Sequence, residues 1–151
     1  MNDQLYGLST TPTNSHCNDH LTKLLFKEIS YKLRGCFFNV YNELGSGYKE
    51  QIYQEALAVE MKENNLKFLK EKEIPVYYNG KKVGKYRPDF IVERKIIVEI
   101  KAVEKMNLEY EKQLINYLKG SEFKLGFLVN FGGKSIDIRR RVFQDTNDLR
   151  R

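Results

Sequence analysis

From residue 21 to residue 44 the apolar positions Leu25, Ile29, Leu33, Phe37, Val40 and Leu44 return every three or four residues, the period of one helical face. Gly45-Ser46-Gly47 ends that helix, and Gly45 suits a left-handed cap. A second helix is predicted over 48–64, with Ile52, Ala56, Val59 and Met61 on its buried side and Asn64-Asn65 as its stop. The period then changes to two. Residues 74–78 read as a strand, Asn79-Gly80 as a tight hairpin turn, and 82–92 as a long return strand. Pro88 within that strand predicts a bulge or a lapse in ladder pairing. Glu93-Arg94 forms another turn, and 96–102 is a third strand whose Ile96-Ile97-Val98 run predicts cover on both faces. A helix over 105–119 presents Leu108, Leu114, Ile115 and Leu118 and breaks at Gly120-Ser121. Strands at 125–131 and 136–142 flank Gly132-Gly133. The order α-α-β-β-β-α-β-β predicts an α/β protein, a central mixed sheet flanked by helices. Residues 1–20 show no periodicity and predict a flexible tail, 21–145 a single domain, and 146–151 a frayed end.

A chain of 151 residues with 41% hydrophobic content is sized for one domain with a real core. Cys17 and Cys36 form no CxxC, so neither a disulfide framework nor a structural zinc site is expected. His16 and His20 both fall in the predicted tail, which sets histidine chemistry aside. No apolar run is long enough for a bilayer and no basic-then-apolar leader opens the chain, so the expectation is a cytoplasmic protein without a membrane partner. Nothing in the sequence indicates a homo-oligomer. The formal charge is +6, and the first twenty residues hold two aspartates and no lysine or arginine, which leaves +8 on the rest. Between Ile74 and Pro88 stand Lys81, Lys82, Lys85 and Arg87 with no acidic residue, and Arg139-Arg140-Arg141 forms a second basic run. These are candidate phosphate contacts, which point to a nucleic acid partner.

The chemistry centres on the third strand. Its alternation puts Glu99 and Lys101 on one face and Val98 and Ile100 on the other. Asp89 follows Pro88 on the preceding antiparallel strand, where a short hairpin brings it beside Glu99. Two carboxylates so placed repel unless a divalent cation separates them, and oxygen ligands suit Mg²⁺ or Mn²⁺. Lys101 would then stabilise charge in a transition state. Taken alone, an ExK triplet is an ordinary Glu–Lys pair on a wet strand face; Pro88-Asp89 at hairpin distance moves the balance toward a site. Glu50 lies in the first turn of the second helix, where the helix dipole favours a carboxylate, and Tyr53 shares its face. Gln113 and Tyr117 share a face of the later helix and offer an amide and a phenol for hydrogen bonding.

Pro88-Asp89 followed by Glu99-Ile100-Lys101 resembles the PD-(D/E)xK nuclease superfamily. Gly47-Tyr48-Lys49-Glu50-Gln51-Ile52-Tyr53 resembles the pattern that names its GxxExxY branch, and Leu44-Gly45, Gln113 with Tyr117, and 126–131 match in order. The resemblance covers about 21–142. It implies a restriction-endonuclease-like core in which Glu50, Asp89 and Glu99, with the Ile100 carbonyl, hold one or two Mg²⁺ ions. Lys101 is then the motif lysine, and Gln113 with Tyr117 the QxxxY element of RecB-like members. Where relatives often carry a histidine before the glutamine, this chain has Tyr110. The implied activity is hydrolysis of DNA, preferred over RNA, by metal-activated water. The rival is a non-catalytic module of the same fold that binds nucleic acid or protein. A small-molecule hydrolase is disfavoured, since no Gly-rich phosphate loop and no nucleophile–histidine pair is present.

Overall fold

The computed structural model describes residues 15–143, with side chains from residue 26 onward. Residues 1–14 of the expected tail and the expected frayed end lie outside the described residues. Helix α1 spans Ser15–Leu44, six residues longer at its start than its apolar period indicates, and α2 spans Glu50–Glu63. Five strands then precede the third helix: β1 (Phe68–Lys70), β2 (Ile74–Tyr78), β3 (Lys81–Tyr86), β4 (Phe90–Val92) and β5 (Ile96–Lys101). Helix α3 (Leu108–Lys119), β6 (Leu125–Asn130) and β7 (Asp137–Val142) complete the chain.

The main sheet has the order β1-β4-β5-β6-β7, with β5 in the centre. The β5–β6 pair is parallel and the other pairs are antiparallel, so the sheet is mixed and flanked by helices, a restriction-endonuclease-like arrangement. Alternation along β5 divides the core in two. Ile96, Val98 and Ile100 join Leu33, Phe37, Tyr53, Leu57 and Met61 from α1 and α2. Ile97 turns the other way, into a smaller cluster with Leu128, Leu114 and Leu118 beneath α3. Helix α3 lies close to β6 at Gly126, where a Cβ would stand 2.8 Å from Leu114.

Three expectations need correction. The long return strand is two strands: β3 ends at Tyr86, β4 begins at Phe90, and Arg87-Pro88-Asp89 breaks the ladder between them. Proline has no N–H to give a ladder, and the break lets β3 leave the main sheet and pair with β2 alone. Strand β1 is absent from the sequence reading, because the three residues Phe68-Leu69-Lys70 are too few to carry a legible period. On α2 the buried residues are Tyr53, Leu57, Ala58 and Met61, whereas Ile52 and Val59 are exposed. Two faces of that helix carry apolar residues, and only packing against α1 and β5 decides between them.

The turn from β4 to β5 holds Glu93 and Arg94 at φ of 51° and 57°. Left-handed backbone is unfavourable for both. Two hydrogen bonds to Lys67 hold the turn: the Glu93 N–H donates to its carbonyl at 2.8 Å, and the Glu93 carboxylate accepts from its N–H at 2.7 Å. This tight return fixes the β4–β5 register on which the site depends.

Candidate active site

The β4–β5 ladder pairs Val92 with Ile96, Ile91 with Ile97 and Phe90 with Val98. Continued by one step, it sets Asp89 opposite Glu99. Pro88 is buried and Asp89 half-buried at the point where the chain turns into the sheet. Asp89 is held from two sides. Its Oδ2 accepts from the Ile100 N–H at 2.6 Å, and its Oδ1 accepts from Gln54 Nε2 at 2.9 Å. Gln54 stands four residues after Glu50 on α2, so the same helix supplies both groups. Tyr86, the last residue of β3, donates its hydroxyl to Glu99 Oε1. The Tyr86 ring stacks on Tyr117 of α3, with 3.4 Å between centroids and 5° between planes.

Burial dominates the electrostatics. It pushes the Glu99 carboxyl up to about 8, reinforced by the charge of Asp89 and opposed by the Tyr86 hydroxyl and by Lys101. Asp89 is raised too, chiefly by burial, and drawn back by the Ile100 N–H and by Lys101. Glu50 is raised by burial, lowered by Lys101 and raised again by Asp89, so α2 brings it within reach of both charges. Within the opposed pair Glu99 keeps the proton to higher pH. The Tyr86 phenol is driven well above its ordinary value by burial and by Glu99, so it stays a donor.

Lys101 shares the Glu99 face of β5, yet its ammonium is not committed to that carboxylate. It lies 4.6 Å from the ring centroid of Tyr110, and the ion pairs among the described residues do not include it. Tyr110 therefore cradles the lysine. Beyond Lys101 the chain is clamped by Asn130, its partner in the parallel ladder. Asn130 is buried; its Oδ1 accepts from the N–H groups of Val103 and Gly132, both at 3.0 Å, and its Nδ2 donates to the Val103 carbonyl at 2.8 Å. The Phe131 N–H donates to the Lys101 carbonyl at 2.9 Å.

The segment before α2 has its own fastening. Gly45 and Gly47 have φ of +66° and +110°, the region only glycine enters freely. Tyr53 is fully buried and stacks on Phe131 at 4.8 Å. Its hydroxyl donates to the Gly45 carbonyl at 2.6 Å and accepts from the Tyr48 N–H at 3.2 Å. The Gly47, Glu50, Tyr53 spacing thus has a mechanical meaning: glycine makes the bend, tyrosine holds it, and glutamate is delivered on the first turn of α2. Tyr53→Phe is expected to leave both backbone groups unpartnered and to cost about 1–3 kcal/mol, measured by chemical denaturation.

The other expected residues are spread more widely. Tyr117 reaches Glu99 only through Tyr86. Gln113 is exposed and lines an open concavity of about 380 Å³ on α3 with Asn116 and Tyr117. Strand alternation divides the arginine run. Arg139 and Arg141 turn toward α3 and pair with Glu111, Arg139 at 2.7 Å, and Arg139 also pairs with Asp137 at 2.9 Å. Hydrogen bonds from both arginines hold Glu111 below its usual range, with Arg139 the larger influence. Two of the three arginines expected to contact phosphate are thus neutralised within the chain, and of the run Arg140 alone is exposed. Lys81, Lys82, Lys85 and Arg87 are exposed on or beside the β2–β3 ribbon, Lys85 in an ion pair with Glu73 at 2.6 Å.

Gln54, Tyr86, Asn130 and Gly132 shape the site and were not anticipated. Gln54 had a signal, its spacing of four from Glu50. Asn130 lies in the matched stretch 126–131, which marks the position without its clamping role; Tyr86 has no signal, because its role depends on strands that meet only in the fold. No three histidine, cysteine, aspartate or glutamate side chains converge into a ready metal cluster among the described residues. The donor chemistry nevertheless fits a hard cation. Asp89 and Glu99 oppose each other, both are buried enough to resist ionisation, and the nearby ammonium is turned to Tyr110.

The same pair makes a pH prediction for metal-free protein. An unfolded Glu99 releases its proton near 4.5, whereas the folded one keeps it to about 8. Across that window the native state binds more protons, so stability falls as pH rises, by at most about 1.4 kcal/mol per unit. Urea denaturation in EDTA should give lower stability at pH 8 than at pH 5.5, and Glu99→Gln should flatten that slope. Equal slopes in the two proteins would contradict the shift.

Among curated proteins and solved structures none matches the chain. A family model described as the PD-(D/E)XK nuclease superfamily matches residues 27–142, a span that holds the whole five-stranded sheet, the opposed carboxylates and the lysine. By that match, the chain belongs to the PD-(D/E)XK nuclease superfamily.

Proposed function

We propose that the protein is a metal-dependent phosphodiesterase of the GxxExxY branch that hydrolyses DNA. The β4–β5 register carries this reading: Asp89 falls opposite Glu99, with Lys101 one step along the same face and Glu50 within electrostatic reach. Asp89, Glu99 and the Ile100 carbonyl would hold Mg²⁺ or Mn²⁺, with Glu50 adding a ligand from α2. Such an ion, when bound, polarises the scissile phosphate and makes an attacking water more acidic. The chain's own groups do the rest. Gln54 and the Ile100 N–H orient Asp89, and Tyr86 orients Glu99 through Oε1. Lys101 Nζ, uncommitted to a carboxylate, supplies positive charge where the phosphate gains negative charge. Lys81, Lys82, Lys85, Arg87 and Arg140 draw in the nucleic acid backbone, and Gln113 and Tyr117 border its path along α3.

The test is cleavage of plasmid, linear duplex DNA, single-stranded DNA and RNA with Mg²⁺ or Mn²⁺, beside Glu99→Gln. The reading expects metal-dependent DNA cleavage that the variant loses. Binding of DNA without cleavage of any substrate under either metal would favour the non-catalytic module.

A further inference from the structure

Strands β2 and β3 pair only with each other, so they form a ribbon separate from the main sheet. The base of the ribbon is packed: Tyr86 is buried, and Ile74 and Val76 lie against the cluster beneath α3. Its outer half is not. Tyr77, Tyr78 and Val83 are 59%, 69% and 62% exposed, and Lys81 and Lys82 are exposed beside them. The register pairs Tyr77 with Lys82 and Tyr78 with Lys81 across the strands. Successive pairs of an antiparallel ribbon point to opposite faces. Each face of the outer half therefore carries one tyrosine and one lysine.

That symmetry bears on what the ribbon meets. A single strand or a flat protein surface would engage one face and leave the other to water. Exposed aromatic side chains on both faces suit a ribbon with a wall on each side. No acidic residue occurs from Ile74 to Pro88, and neither Lys81 nor Lys82 has an ion-pair partner among the described residues, so charge complementarity favours polyanionic walls. We infer that the outer half of the β2–β3 ribbon enters the major groove of double-stranded DNA, which makes the duplex the form this site receives. The inference rests on the nuclease reading above. The B-form major groove, about 12 Å wide, admits a two-stranded ribbon, whereas that of A-form RNA is too narrow. The tip is slim enough to enter: Asn79-Gly80 turns at φ of 48° and 74° with no bulky side chain. The lysines then reach phosphates on either wall, and the phenols offer hydroxyls to phosphates or base edges. At the other end of β3, Tyr86 donates to Glu99, so groove contact and carboxylates are joined by one strand roughly 15 Å long.

The test is fluorescence anisotropy in EDTA at low salt, with a DNA duplex, one of its single strands and an RNA duplex of the same sequence. The proteins are wild type, Tyr77→Ala/Tyr78→Ala and Lys81→Ala/Lys82→Ala, whose altered side chains are exposed and leave the fold measurable by circular dichroism. The expected result is at least about tenfold preference for the DNA duplex, lost in the tyrosine variant. The lysine variant should lower the salt slope by roughly two. Preference for single strand or RNA duplex, or unchanged duplex affinity in the tyrosine variant, overturns the inference while cleavage by wild type leaves the nuclease reading standing. A wild type that neither binds nor cleaves any of the three, with Mg²⁺ or Mn²⁺ present for cleavage, overturns both.

Discussion

Lys101→Ala should fold, bind DNA within a few-fold of wild type, and cleave it at least about a hundredfold more slowly, the scale of losing one preorganised charge-stabilising group. Three observations separate the fold from the chemistry. The ammonium makes no ion pair with Glu99, so its removal breaks no direct contact there and only withdraws a nearby charge that favours the ionised forms of Glu50, Asp89 and Glu99. Its contact with Tyr110 is of a kind worth only about 0.5–1 kcal/mol when partly exposed. The β5 backbone stays fixed without it, because Phe131 and Asn130 hold the strand end through main-chain groups. Single-turnover cleavage, with anisotropy and circular dichroism as controls, distinguishes the two roles. A folded variant that cleaves like wild type would remove the lysine from the mechanism.

Gly132→Ala should be the most damaging glycine-to-alanine substitution among the described residues, costing on the order of 3 kcal/mol or more. A Cβ at Gly132 would stand 2.4 Å from the Val103 nitrogen and 2.5 Å from the Ala102 carbonyl carbon. These are backbone atoms of the segment that follows Lys101, so relief requires moving that segment and breaking the Asn130 clamp. Gly84→Ala is the matched control. It lies on the ribbon with nothing within 4 Å of a built Cβ, and should change stability by less than about 1 kcal/mol. Denaturation of the two variants beside wild type measures the contrast, and similar costs at both positions would contradict it.

The sheet and the heart of the candidate site were readable because they depend on local pattern. Alternation along 96–101 put Glu99 and Lys101 on one face, and the tight return at Glu93-Arg94 set how far back the opposing residue must lie. The register that brings Asp89 opposite Glu99 follows from those two features. What was not readable depends on which strand leaves the sheet. Pro88 reads as a local lapse, but its consequence is larger: the β2–β3 hairpin leaves the main sheet, and Tyr86 arrives over Glu99. The arginine run misled for a related reason. Three adjacent cations on a strand look like one patch, but alternation sends two of them to Glu111, which lies 28 and 30 residues away in the chain. The exposed Ile52 and Val59 show the limit of helical periodicity, which finds an apolar stripe without saying which neighbour covers it.

A cation site at Asp89 and Glu99 should make thermal unfolding sensitive to titrated Mg²⁺ or Mn²⁺. A ligand at a hundredfold excess over its Kd stabilises a native state by about 2.7 kcal/mol, a rise in Tm of roughly 5–10 °C for a domain of this size. Wild type should show that rise. Asp89→Asn, which keeps the shape of the side chain and removes its charge, should show little of it. Equal shifts in wild type and Asp89→Asn, or no shift in wild type with either ion, would contradict the account.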